Sequence, residues 1–105
     1  MTWEVYKTYY ADEEGSEWDD EYGVAAGCQS FLIITANGTG AMEDIDEGNK
    51  HTTSFTYEIE SGYVTITDSY GDTERWTVKS LTDKGLVLES ICGNETLAIY
   101  YKRIK

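Results

Sequence analysis

Carboxylates are the commonest side chains in this sequence that could do chemistry, and they fall into two clusters. Asp12, Glu13, Glu14, Glu17, Asp19, Asp20 and Glu21 place seven acids within ten residues. Such a run could hold calcium, but counted from Asp12 the sixth position is Glu17, where a calcium loop needs glycine. The twelfth is Gly23, where it needs the bidentate glutamate. The run therefore reads as a solvated connection. Trp18 and Tyr22 inside it are apolar anchors, which suggests that the segment folds back as a lid. The second cluster is Glu43, Asp44, Asp46 and Glu47. Asp44 and Asp46 share a strand face by parity. Paired carboxylates can hydrolyse glycosides when a cleft holds them at a fixed separation, but no supporting motif surrounds this pair.

Other chemistries lack their partners. His51 is the sole histidine and has no neighbours at metal-ligand spacing, so no metal site is expected. Cys28 and Cys92 form no C-x-x-C pair. The G-x-S-x-G nucleophile motif is absent. Gly38-Thr39-Gly40 follows a strand pattern but leads into another strand, so it is no phosphate loop. No cofactor is implied, and the chain reads as a non-enzyme. Asn37 and Asn94 begin glycosylation sequons, meaningful only in a eukaryotic secretory setting.

The elements that must carry these residues are strands. The chain has 105 residues, one domain over 1–105 by the usual size relation. Such a chain buries roughly 60–70% of its unfolded surface on folding, enough for a core without obligatory metals or disulfides. Nine Tyr, three Trp and abundant Thr, Val and Ile favour pleated, half-buried surfaces. Ten Gly and no Pro favour tight turns. Strands are expected over 2–10, 29–36, 40–46, 52–60, 63–68, 73–81, 86–91 and 96–104, with a long acidic connection running through residue 27. Period-two alternation is plain in Phe55, Tyr57 and Ile59 against Ser54, Thr56 and Glu58. Asn37-Gly38 between apolar runs is the strongest hairpin signal. Short connections make successive strands neighbours, and a long meander removes its free edges by closing. The expectation is an all-β, eight-stranded antiparallel up-and-down barrel, with a sandwich as runner-up. Phe55, Tyr57, Trp76 and Tyr101 are expected to point inward and leave it filled or narrow.

Net charge is −12, from twenty acids and eight bases. That excludes a nucleic-acid footprint and disfavours an anionic membrane surface. No apolar run reaches the roughly 18 residues of a membrane span, and Met1 to Tyr6 reads as a strand rather than a leader.

Four pieces resemble the small lipocalin-like domains of many exported bacterial proteins and lipoproteins. They are Trp3, Phe31 to Gly40 (FLIITANGTG), Ser80 to Glu89 (SLTDKGLVLE) and Tyr100-Tyr101-Lys102-Arg103. The resemblance implies a ligand-binding barrel, and export to the periplasm or cell surface. It also implies that a first-strand tryptophan, here Trp3, packs beneath a basic residue of the last strand, here Arg103. The tight hairpins at 37–40, 61–62 and 82–85 fall at the Trp3 end, which they are expected to seal. Strand direction puts Cys28 and Cys92 at the other end, where export would permit a disulfide; the pairing is left open. That end also collects most of the acids, which places a binding mouth there, with Trp18, Tyr22, Asp44 and Asp46 at the entrance and Phe55, Tyr57 and Trp76 behind it. A neutral or cationic small ligand, or a basic protein, is the expected partner of a monomer. The alternative is a protein-interaction module such as a proteinase inhibitor.

Overall fold

A computed structural model describes residues 1–23, 26–35 and 37–105. Among them run nine strands: β1 (Thr2–Ala11), β2 (Glu17–Glu21), β3 (Cys28–Ile34), β4 (Thr39–Asp46), β5 (Asn49–Glu60), β6 (Tyr63–Asp68), β7 (Thr73–Leu81), β8 (Gly85–Cys92) and β9 (Glu95–Arg103). All pairings are antiparallel, in the order β2-β1-β3-β4-β5-β6-β7-β8-β9. A further β1–β9 pairing closes the sheet. Eight strands thus form an up-and-down barrel, and β2 lies outside the closed ring as a flap hydrogen-bonded to β1. The expected end of the strand over 29–36 falls on Ala36, which lies outside the described residues, as do Val24 and Ala25 of the expected connection.

The flap is the main departure from the sequence reading, which has no strand between residues 11 and 27. Its turn is local chemistry. Asp12 Oδ1 accepts the backbone N–H groups of Glu14 and Ser16 at 3.0 and 2.9 Å, and Gly15 supplies a φ of 85°. The Tyr9 hydroxyl then donates to Glu17 at 2.8 Å, and the Tyr10 and Trp18 rings lie 5.4 Å apart. The same device turns β6 into β7: Asp68 Oδ1 accepts from Tyr70 and Asp72, and Gly71 is left-handed. Two of the acids are therefore turn-formers, a role short carboxylate side chains fill by binding backbone N–H groups two to four residues on.

Two β-bulges decide which residues face inward. Register slips between Val5 and Lys7, so that Tyr6 is the extra residue, and again between Val78 and Ser80, at Lys79. An extra residue in one strand reverses the alternation beyond it. On β7 this lets Val78, opposite Leu88, and Leu81, opposite Leu86, face the same side although they are three residues apart. The buried core holds Trp3, Val5, Leu32, Phe55, Ile66, Trp76, Leu86, Leu88 and Tyr101. Gly40 makes room for it: a Cβ there would lie 2.5 Å from both the Ile33 carbonyl oxygen and the Phe55 ring.

Candidate functional site

The start of β1, the ends of β3, β5 and β7, and the starts of β6 and β8 converge on one barrel end. Inward side chains from these segments surround an open cavity of about 160 Å³. Leu32, Phe55, Ile66 and Leu88 are buried and form its depth, while Ile59 and Leu81 are 73% and 64% exposed and stand at its rim. Every lining residue is apolar or aromatic. The one hydroxyl among them, on Tyr57, is turned away to donate to the Thr35 carbonyl at 3.0 Å, which fixes the ring against the wall. Phe55 lies 6.4 Å from that ring, centroid to centroid, tilted by 59°.

The expected entrance lies at the other end, where the turn at 12–16, the flap, Asp46, Glu47, Asp68, Asp72 and Glu95 gather. The seven residues expected to form one site are accordingly divided. Phe55 and Tyr57 line the cavity. Trp76 is buried in the core, its indole N–H donating to Glu74 at 3.2 Å. Trp18 is half exposed on the flap, against Tyr10. Tyr22 packs against the core from the acidic end, its N–H bonded to the Tyr6 carbonyl at 3.1 Å. Burial raises its hydroxyl pKa above the ordinary value, with smaller contributions from Cys28, Asp20 and Asp44. Asp44 and Asp46 are exposed, and the Ser30 hydroxyl donates to Asp44. Burial, with Asp44 adding to it, pushes the Tyr101 hydroxyl far up. The tight hairpins do not seal the Trp3 end as expected. Short turns bring few side chains to fold over the opening, whereas the long β1–β3 segment brings Tyr22 inward at the opposite end.

One structural expectation needs correction, and one pairing left open is decided. Trp3 and Arg103 are ladder partners, so the strands meet in the expected register. The guanidinium does not cover the indole, however: Arg103 is exposed and its Nε donates to the Lys105 carbonyl at 3.1 Å. Among the described residues, cations stand over aromatic rings at Lys7–Tyr100 and Arg75–Tyr63 instead. Trp3 needs no such cover, because the core already buries it to 3% exposure. Cys28 and Cys92 are both free thiols. Each opens or closes a strand beside an acidic ladder partner, Cys28 opposite Asp46 and Cys92 opposite Glu95.

Sequence reasoning missed Ile59 and Leu81 as site residues, and each left a trace. Ile59 is the last apolar residue of β5, with only Glu60 between it and a two-residue turn. Leu81 breaks the alternation set by Trp76 and Val78, and an apolar residue off period in a strand is the mark of a bulge. Among the described residues, no group of three or more His, Cys, Asp or Glu side chains could hold a metal ion, and no helix is long and apolar enough to cross a membrane.

Comparison with known proteins agrees with this architecture. A lipocalin-like protein from Bacteroides uniformis ATCC 8492 superposes with a TM-score of 0.68 at 13% identity, covering 98% of this chain and 96% of that one. An uncharacterized protein from Bacteroides eggerthii DSM 20697 gives a TM-score of 0.65 at 14% identity, covering 97% of each. At such identities the likeness concerns the fold. A search of curated proteins finds no match. The model of the lipocalin-like domain family matches residues 2–88, from the first strand into β8, so the chain belongs to the lipocalin-like domain family.

Proposed function

We propose that this chain, acting as one domain over residues 1–105, is a non-enzymatic binding module that takes a small apolar ligand into the cavity at its Trp3 end. The observation that carries the reading is the wholly apolar lining of an opening about 160 Å³ in volume. A cavity of roughly 150 Å³ lined by aliphatic and aromatic side chains stays dry and accepts benzene, whereas drug-sized ligands need about 300–1,000 Å³. The ligand, or the part of it that enters, is therefore about the size of a single ring or a six-carbon chain. The acids of the far end give no reason for a cationic ligand here, because the cavity opens away from them. Export of the module follows from the family's habit and belongs to the same proposal.

Toluene titrated into the protein, followed by backbone and side-chain shifts, tests the reading. Shifts are expected at Trp3, Leu32, Tyr57 and Val78, and Val64→Phe, which fills the cavity from its wall, should abolish them while leaving the circular dichroism of the barrel intact. Shifts confined to Trp18, Tyr22, Asp44 and Asp46, or none at all, would overturn it.

A further inference from the structure

The cavity's rim is charged differently from the rest of the molecule. The turn between β7 and β8 carries Lys84 between two lining residues, Leu81 and Leu86. The backbone N–H of Arg103 donates to the Lys84 carbonyl at 2.9 Å, which sets the two residues next to each other, one at the end of β9 and one on the β7–β8 turn. Arg103 is also the ladder partner of Trp3, another lining residue. Both side chains are exposed, and neither takes part in the four ion pairs among the described residues. Lys102 reaches Glu4 at 3.7 Å and Lys79 reaches Glu89 at 2.8 Å, while Lys105, whose backbone bonds Thr2, adds a third base at this end. The carboxylates near this rim are Asp83 on the same turn, and Glu58 and Glu60 on β5, of which Glu60 lies 4.0 Å from Arg75. The dense acids belong to the far end of a molecule up to 40 Å across. At physiological salt the screening length is about 8 Å, so their field is largely lost over that distance and the rim's own charges set the local potential.

We propose that the cavity selects amphiphiles with an anionic head, the apolar part entering past Leu81 and the head meeting Lys84 and Arg103. This deepens the reading of the cavity as an apolar binding site and rests on it. The apolar lining offers no hydrogen-bond partner within, so a charged head has to stay at the opening. There, two exposed cations held in no ion pair, beside the Met1 ammonium that donates to the Ile34 carbonyl, favour a carboxylate, sulfate or phosphate and repel an ammonium.

Three probes with the same tail separate the tail from the charge: hexanoate, hexanol and hexylammonium, each titrated at about 0.15 M and at roughly 1 M salt with amide shifts as the readout. Hexanoate should bind about tenfold or more tightly than hexylammonium at about 0.15 M salt, with hexanol between, and the gap should narrow at roughly 1 M. Lys84→Glu combined with Arg103→Glu should bring the ratio to one or invert it, leaving hexanol affinity unchanged. Both positions are exposed, so the fold should survive, and hexanol binding reports that the cavity is intact. If hexanol binds at the cavity but hexanoate shows no advantage over hexylammonium, the charge selection is wrong and the apolar site stands. If no probe shifts the lining residues, the apolar site fails and this proposal falls with it. A hexanoate preference that survives the double substitution would also overturn the assignment to these two bases.

Discussion

The two ends of this barrel differ in what their connections deliver to the interior. At the acidic end a long segment leaves the ring, forms a hydrogen-bonded flap and returns Tyr22 against the core. At the Trp3 end the connections between β5 and β6 and between β7 and β8 are only a few residues long, and they leave Ile59 and Leu81 exposed around an apolar opening. Acidic residues are concentrated where the interior is stopped by a side chain, and apolar ones where it is open. Charge density at a barrel mouth is thus a poor guide to which end stands open. The better guide is which end lacks a side chain long enough to fill it.

Three changes should sharpen or break that contrast. The largest effect belongs to Leu88, 3% exposed and forming the depth of the cavity. Leu88→Ala should destabilise the protein by about 2–5 kcal/mol in urea unfolding. In compensation it should admit a bulkier ring, naphthalene in place of toluene. Asp46→Ala, at the exposed acidic end, should stay within about 0.5 kcal/mol of the parent. Equal costs at the two positions would mean that the ends are not organised as described.

The second concerns Tyr101, buried to 6% exposure, whose hydroxyl pKa is raised above its ordinary 10.0 by burial and, secondarily, by Asp44. A raised folded-state pKa means that the native state holds its proton more firmly than the unfolded chain does. That contribution is complete below about pH 10 and is lost as pH rises above it, at up to about 1.4 kcal/mol per pH unit for one such group. Unfolding free energy should therefore fall between about pH 10 and 12, and Tyr101→Phe should flatten part of that fall while changing stability near neutral pH little. The remaining slope is shared by Tyr22 and Tyr10, raised first by burial, and by Tyr9 and Lys79, raised first by hydrogen bonds to Glu17 and Glu89. A slope untouched by Tyr101→Phe would remove Tyr101 from the account.

The smallest effect is at the flap. Asp12→Ala removes the carboxylate that accepts from Glu14 and Ser16, a loss of about 1 kcal/mol felt by β2 alone. Amide hydrogen exchange should speed up over residues 17–21 and stay unchanged in β5 to β8. Glu13→Ala, one residue along, should alter neither. Slower exchange, or a change spread through the barrel, would show that the flap is part of the barrel's cooperative unit.

Much of the barrel is legible in the residues themselves. Alternation in Phe55, Tyr57 and Ile59, the Asn37-Gly38 turn and the spacing of later turns dictate antiparallel strands paired with their neighbours, because side-chain parity and turn geometry are local. The Trp3 end and the acidic end follow from strand direction alone. The flap is hidden because its strand is almost wholly charged and all five of its residues are exposed. No apolar face marks it, and its pairing depends on a turn built by one aspartate. The cavity is hidden for a related reason. Leu81 reaches it only through the bulge at Lys79, and a bulge is a property of two strands together.

Residue order alone carries the class of fold, the order of the strands, the closing register of Trp3 against Arg103 and the separation of charge between the ends. Each of these rests on near-neighbour geometry or on direction along the chain. Which end stands open is instead a matter of packing in three dimensions. It depends on whether side chains from different strands meet across the barrel axis, and Tyr22 does so at one end while nothing of its reach does so at the other.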